Sequence, residues 1–131
     1  MRRLMILVAL VALLVGVFAA AAYARTFTCT DDPCYGTSSP DVINERPAFG
    51  VPDDIFARAG ADNVNAAISP GDVDILHGQR GADTLSTYET FPETDSLDTI
   101  YGGPGTDTCY INAGETAVSC EVLFINGVQQ P

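Results

Sequence analysis

No lysine and no tryptophan occur in this 131-residue chain, histidine occurs once, and aromatic residues make up only 8%. Seventeen acidic side chains stand against six basic ones, all arginine, for a formal net charge of −11. So few cations give no footprint for phosphate backbones, which excludes sequence-independent nucleic-acid binding. The counter-charges that suit such a chain are themselves cations. The sequence also lacks the HExxH helix, the GxSxG elbow and the CxxC pair, so no assembled nucleophile or zinc set is present. His77 stands alone, and neighbouring acids such as Asp53 with Asp54 or Asp72 with Asp74 read as solvated loop carboxylates rather than an acid–base pair. No catalytic residue is assigned, and the chain is read as a non-enzyme.

Long apolar runs are missing except at one end. Arg2 and Arg3 precede an uncharged stretch from Leu4, and Ala22, Tyr23 and Ala24 fit the small-x-small cleavage rule ahead of Arg25. Residues 1–24 are therefore expected to be a secretory signal and 25–131 a single exported domain; membrane attachment follows only if that segment stays uncleaved. Export puts Cys29, Cys34, Cys109 and Cys120 in an oxidising compartment, where disulfides are the default. Four cysteines allow three pairings, and loop length favours Cys29 with Cys34 and Cys109 with Cys120. Zinc would need more thiols or histidines at close spacing.

A repeat runs between these cysteines. Asp followed two places on by an apolar residue occurs at Asp41/Ile43, Asp53/Ile55, Asp62/Val64, Asp74/Leu76, Asp83/Leu85, Asp98/Ile100 and Asp107/Cys109. The Asp-to-Asp spacings are 12, 9, 12, 9, 15 and 9, so nine-residue units abut in pairs and the extra residues, 45–47, 66–68 and 87–92, fall between pairs. The last unit, GGPGTDTCY at 102–110, carries Gly102, Gly103, Gly105, Asp107 and Cys109. It resembles the GGxGxDxUx nonapeptide of the RTX, or haemolysin-type, calcium-binding repeat family, and the other units over 36–110 are worn copies of it. That resemblance implies a short parallel β-roll, an all-β solenoid in which six residues make a calcium-holding turn and three make a strand.

The residue types suit those roles. Glycine lets the backbone turn left-handed and brings carbonyls close to an ion. Asp at the sixth position offers a hard oxygen, and calcium takes six to eight oxygen ligands. The apolar eighth position belongs inside a stacked strand core.

If units alternate between the two edges of a flattened coil, Asp41, Asp62, Asp83 and Asp107 share one edge and Asp53, Asp74 and Asp98 the other. Only the first edge has glycine at the fourth position, at Gly60, Gly81 and Gly105. The insertions all precede units of the second edge, which is expected to be irregular and exposed. Rungs about 4.8 Å apart set like charges against each other by roughly 0.9 kcal/mol in water and about 3.5 kcal/mol at an effective dielectric of 20. Cations between the rungs would reverse that sign. Two Ca2+ sites are expected, between the loops of Asp62 and Asp83 and of Asp83 and Asp107, with Gly60, Gly81, Gly103 and Gly105 contributing and a weaker third site towards Asp41. Arg58 and Arg80 lie beside these acids in sequence and offer a metal-free route to neutralising them.

The ends are expected to be tethered by the two disulfides. A bridge from Cys109 to Cys120 folds 111–119 over the last coil, Val122 to Ile125 forms a cap strand within a cap at 111–126, and the terminal NGVQQP frays. The function expected is a secreted Ca2+-binding repeat protein whose ion is coupled to folding. The competing expectation is an extracellular adhesion or scaffold solenoid that no longer binds calcium and meets a protein or glycan through its insertions.

Overall fold

The computed structural model describes residues 24–47, 51–68, 71–90 and 97–131. Residues 1–23 of the expected signal segment and the last two residues of the longest insertion, 91–92, lie outside them.

Short strands occur where the nonapeptide phase puts its last three residues. They are β1 (Arg25–Thr28), β2 (Cys34–Tyr35), β3 (Asp41–Asn44), β4 (Asp54–Phe56), β5 (Asn63–Asn65), β6 (Ile75–His77), β7 (Thr84–Ser86), β8 (Thr99–Tyr101), β9 (Thr108–Ile111), β10 (Thr116–Val118), β11 (Val122–Ile125) and β12 (Val128–Gln129). Odd-numbered strands stack in one sheet in the order β1-β3-β5-β7-β9-β11, closed by β12, and even-numbered strands form the other, β10-β8-β6-β4-β2. Every pairing except β11 with β12 is parallel. The chain therefore winds as a parallel β-solenoid, as the repeat implies.

Register turns the sequence period into a core. Phe27, Ile43, Val64, Leu85, Cys109 and Leu123 are in-register partners down one sheet, and Cys34, Ile55, Leu76, Ile100 and Ala117 down the other. The middle members Ile43, Ile55, Leu76, Leu85 and Ile100 are fully buried, each worth about 1.5–3 kcal/mol. The core thus runs past the seven Asp-x-apolar triplets in both directions.

The insertions begin inside this core. Glu45, Ala66 and Thr87, the first residue of each, are buried. Their amides donate to Asn65, Ser86 and Tyr110 of the next coil. Glu89 is buried as well. The expectation of exposed insertions fails for these residues, because continuing the strand by one residue gains a ladder hydrogen bond and an inward side chain.

Disulfides join Cys29 to Cys34 and Cys109 to Cys120. The carboxyl end does not fray as expected: β12 turns back antiparallel on β11 through Phe124↔Gln129 and Ile125↔Val128, covering an edge that would otherwise invite another strand. On the outer face of the even-numbered sheet, the ninth-position rings of Tyr35, Phe56, His77 and Tyr101 stack on one another with centroids 5.3, 4.4 and 5.1 Å apart. His77 is held between two rings, with its Nε2 3.5 Å from Asp54 Oδ1.

Candidate metal centre

The strand registers place Asp41, Asp62, Asp83 and Asp107 in one row along one edge of the solenoid. All four are buried, none more than 2% exposed. Each of the later carboxylates accepts an amide from the rung before it: Asp41 N–H donates to Asp62 Oδ1 at 2.8 Å, Asp62 N–H to Asp83 Oδ1 at 2.9 Å, and Asp83 N–H to Asp107 Oδ1 at 2.9 Å. The sixth-position acid thus holds the backbone of the neighbouring coil. Asp rather than an apolar residue is needed there because the turn leaves that amide without a strand partner, and a buried unpaired amide is costly.

The second carboxylate oxygens are not used in this way. Oδ2 of Asp62, Asp83 and Asp107 is buried with no hydrogen-bond partner. At Asp83 and Asp107 it points into a gap beside the first-position glycine. A methyl group on Gly78 would stand 2.7 Å from Asp83 Oδ2 and 2.6 Å from the Gly102 carbonyl oxygen, and one on Gly102 would stand 2.7 Å from Asp107 Oδ2. At the fourth position, a methyl group on Gly81 or Gly105 would run into the carbonyl of the glycine one rung below. Gly60 and Gly81 hold φ of 150°. Glycine is therefore required for close approach of carbonyls to the carboxylate row.

Gly103 also has left-handed φ, 103°, and backs onto the Gln79 backbone. Asp41 differs from its neighbours: Thr37 donates to its Oδ2 from both N–H, at 2.6 Å, and Oγ1, at 2.9 Å. The first position of the unit at 57 is filled by the buried methyl of Ala57.

Burial pushes the Asp83 carboxyl up to about 6, with the Asp62 and Asp107 charges adding to it. Burial likewise raises Asp62 and Asp107. Removal from water disfavours the charged form, and like charges on adjacent rungs disfavour it further.

Arg58 and Arg80 do not screen these acids. The Arg58 guanidinium lies over the Tyr35 ring at 4.9 Å, and the arginine ion pair found among the described residues is Arg46 with Asp53. Both arginines leave the turn towards the outer face, because a second- or third-position side chain points away from the inward sixth position.

The second edge carries the same ladder. Asp53 N–H donates to Asp74 Oδ1 at 2.8 Å and Asp74 N–H to Asp98 Oδ1 at 2.9 Å. Asp53, Asp74 and Asp98 are buried, against the expectation of an exposed, irregular edge. Their surroundings are more acidic: burial raises Asp74, with Asp72 and Glu45 adding to it, and burial pushes Asp98 up to about 7 with help from Glu115 and Asp74. The first member is neutralised by Arg46, whose N–H and guanidinium hold the two Asp53 oxygens at 2.9 and 3.1 Å. Glu45, Arg46 and Glu115 were not legible as site residues because no spacing rule places an insertion or a cap against a repeat.

Among the described residues, no three Asp, Glu, His or Cys side chains converge as a metal cluster. A cation on the first edge would draw on one or two carboxylate oxygens and complete its shell from turn carbonyls and water, a donor set of hard oxygens suited to Ca2+. The orphaned Oδ2 atoms and the glycine-lined gaps fit that ion. Calcium would supply positive charge beside the Oδ2 atoms that burial leaves without a donor.

Comparison with known proteins agrees. Residues 71–89 and 95–115 match a family model described as the RTX calcium-binding nonapeptide repeat, four copies. Nothing among the curated proteins or the solved structures matches the chain. Residues 71–89 and 95–115, from the later coils of this solenoid, are thus similar to RTX calcium-binding nonapeptide repeats.

Proposed function

We propose that the protein is an exported, non-catalytic calcium-binding solenoid in which the ion completes the first carboxylate ladder and secures the folded state after export. The observation that carries this reading is the run of buried, partnerless Oδ2 atoms on Asp62, Asp83 and Asp107. Asp62, Asp83, Asp107 and Asp41, with the carbonyls of Gly60, Gly81, Gly105 and Gly103, are the proposed ligand set, and the glycine-lined gaps at Gly78 and Gly102 favour the rungs of Asp83 and Asp107 within it. At an extracellular-type dissociation constant of ~0.1 mM and ~1 mM free ion, each site would add about 1.4 kcal/mol by mass action. For a marginal domain, two such sites are a large fraction of total stability.

A second reading rests on a separate observation. Asp62, Asp83 and Asp107 already have their Oδ1 satisfied by an amide, so the ladder has cohesion without metal, and the chain could serve as an extracellular adhesion or scaffold solenoid. Thermal unfolding of residues 25–131, followed by circular dichroism in chelator and in 1 mM CaCl2, separates the two. A rise of several degrees with calcium is expected; identical transitions would remove the binding reading and leave the scaffold.

A further inference from the structure

The first ladder does not stop at the last nonapeptide. β11 continues the odd-numbered sheet in register with β9, Val122 opposite Thr108, which puts Glu121 opposite Asp107. Its Oε2 accepts the Asp107 N–H at 2.7 Å, the bond that Asp62, Asp83 and Asp107 make on earlier rungs. The turn leading to it is contracted to Ser119 and Cys120. Ser119 nevertheless occupies the column of first positions, because Gly102 N–H donates to Val118 one residue before it. It adopts left-handed φ, 55°, and its carbonyl oxygen lies against Gly102 where a methyl group there would run into it. The Gly102 carbonyl stands in the same relation to Gly78.

Asp107 is fully buried. Its Oδ2 has no partner and points into the gap bounded by Gly102 and the Ser119 carbonyl. The Glu121 charge acts on the same carboxyl.

We propose that this end of the solenoid is a further divalent-cation site of the hard-oxygen, calcium-like class, in which Asp107, Glu121 and the Ser119 carbonyl hold one ion. Glu121 and Ser119 lie beyond residue 115, where the matched repeats end, so the site is made by the cap. The disulfide from Cys109 to Cys120 ties the residue before Glu121 to the core. It fixes the contracted turn whose two residues replace five of a full unit. The inference rests on the reading that ladder carboxylates bind calcium, and it adds a ligand outside the repeats.

Equilibrium dialysis of residues 25–131 against millimolar CaCl2 counts bound ions for the wild type, Glu121→Gln, Asp83→Asn and the double variant. Glutamine keeps an oxygen for the Asp107 amide, so the fold is held and only the charge is removed; unchanged near-ultraviolet dichroism checks this. The expected result is one ion fewer in Glu121→Gln than in wild type, and fewer in the double variant than in Asp83→Asn alone. Equal counts in wild type and Glu121→Gln, with calcium bound in both, overturn the terminal site and leave the ladder reading standing. No calcium bound by the wild type overturns the ladder reading itself.

Discussion

The two edges of the solenoid use the same acid for the same bond and differ in what surrounds it. On both, a sixth-position Asp accepts an amide from the previous coil and is buried. On the first edge, the other oxygen faces glycine and carbonyls. On the second, it shares its space with Glu45, Asp72 and Glu115, and Arg46 pairs with one end. A repeated Asp is therefore a statement about backbone cohesion first. Capacity for a cation is added by neighbours, and the fourth-position glycine is the sequence mark that separates the edges.

This comparison can be broken at several points. The largest effect should be independent of the edges: Leu85→Ala and Leu76→Ala remove equally buried residues from the two sheets and should each cost about 2–5 kcal/mol in denaturant unfolding. A large inequality would mean that the sheets do not share one core.

Next, Asp83→Ala and Asp74→Ala should each destabilise the calcium-free protein by about 1–3 kcal/mol, the cost of leaving a buried amide without its acceptor. Only the Asp83 change should also diminish the calcium-dependent rise in melting temperature. Equal loss of that rise from both would erase the distinction between edges.

The smallest effect is expected from pH. The folded-state pKa values of Asp83 and Asp98 lie above the unfolded value of 3.8, at about 6 and about 7. The stability they contribute is fully present below about pH 4 and is lost as pH rises through 6 to 7, because the unfolded chain releases these protons more readily. In chelator the melting temperature should fall by a few degrees from pH 5 to pH 8, and calcium should flatten that slope by competing with the proton. A metal-free melting temperature that rises over this range would contradict the burial of these carboxyls.

Much of the winding was legible once the GGxGxDxUx resemblance supplied a β-roll, because a nine-residue period with a buried eighth position then admits one register of stacked strands. The spacing also separated Asp41, Asp62, Asp83 and Asp107 from Asp53, Asp74 and Asp98. It stopped short at the carboxyl end for a chemical reason. The search required Asp, whereas the cap rungs use Glu115 with Ala117 and Glu121 with Leu123. A rule written as any acid followed two places on by any inward residue would have found them. Burial of Glu45 and Thr87 was not legible, since it depends on a strand running one residue beyond its repeat. The pairing of Arg46 with Asp53 joins an insertion to a turn, a contact that no period encodes.

The ring column of Tyr35, Phe56, His77 and Tyr101 has a practical consequence. Each ring belongs to a different coil, so overlap between them exists only while successive windings are seated on one another. With no tryptophan to mask them, the tyrosine bands become an intrinsic optical gauge of whether the windings that carry Tyr35 and Tyr101 are closed on their neighbours, readable without labelling the molecule.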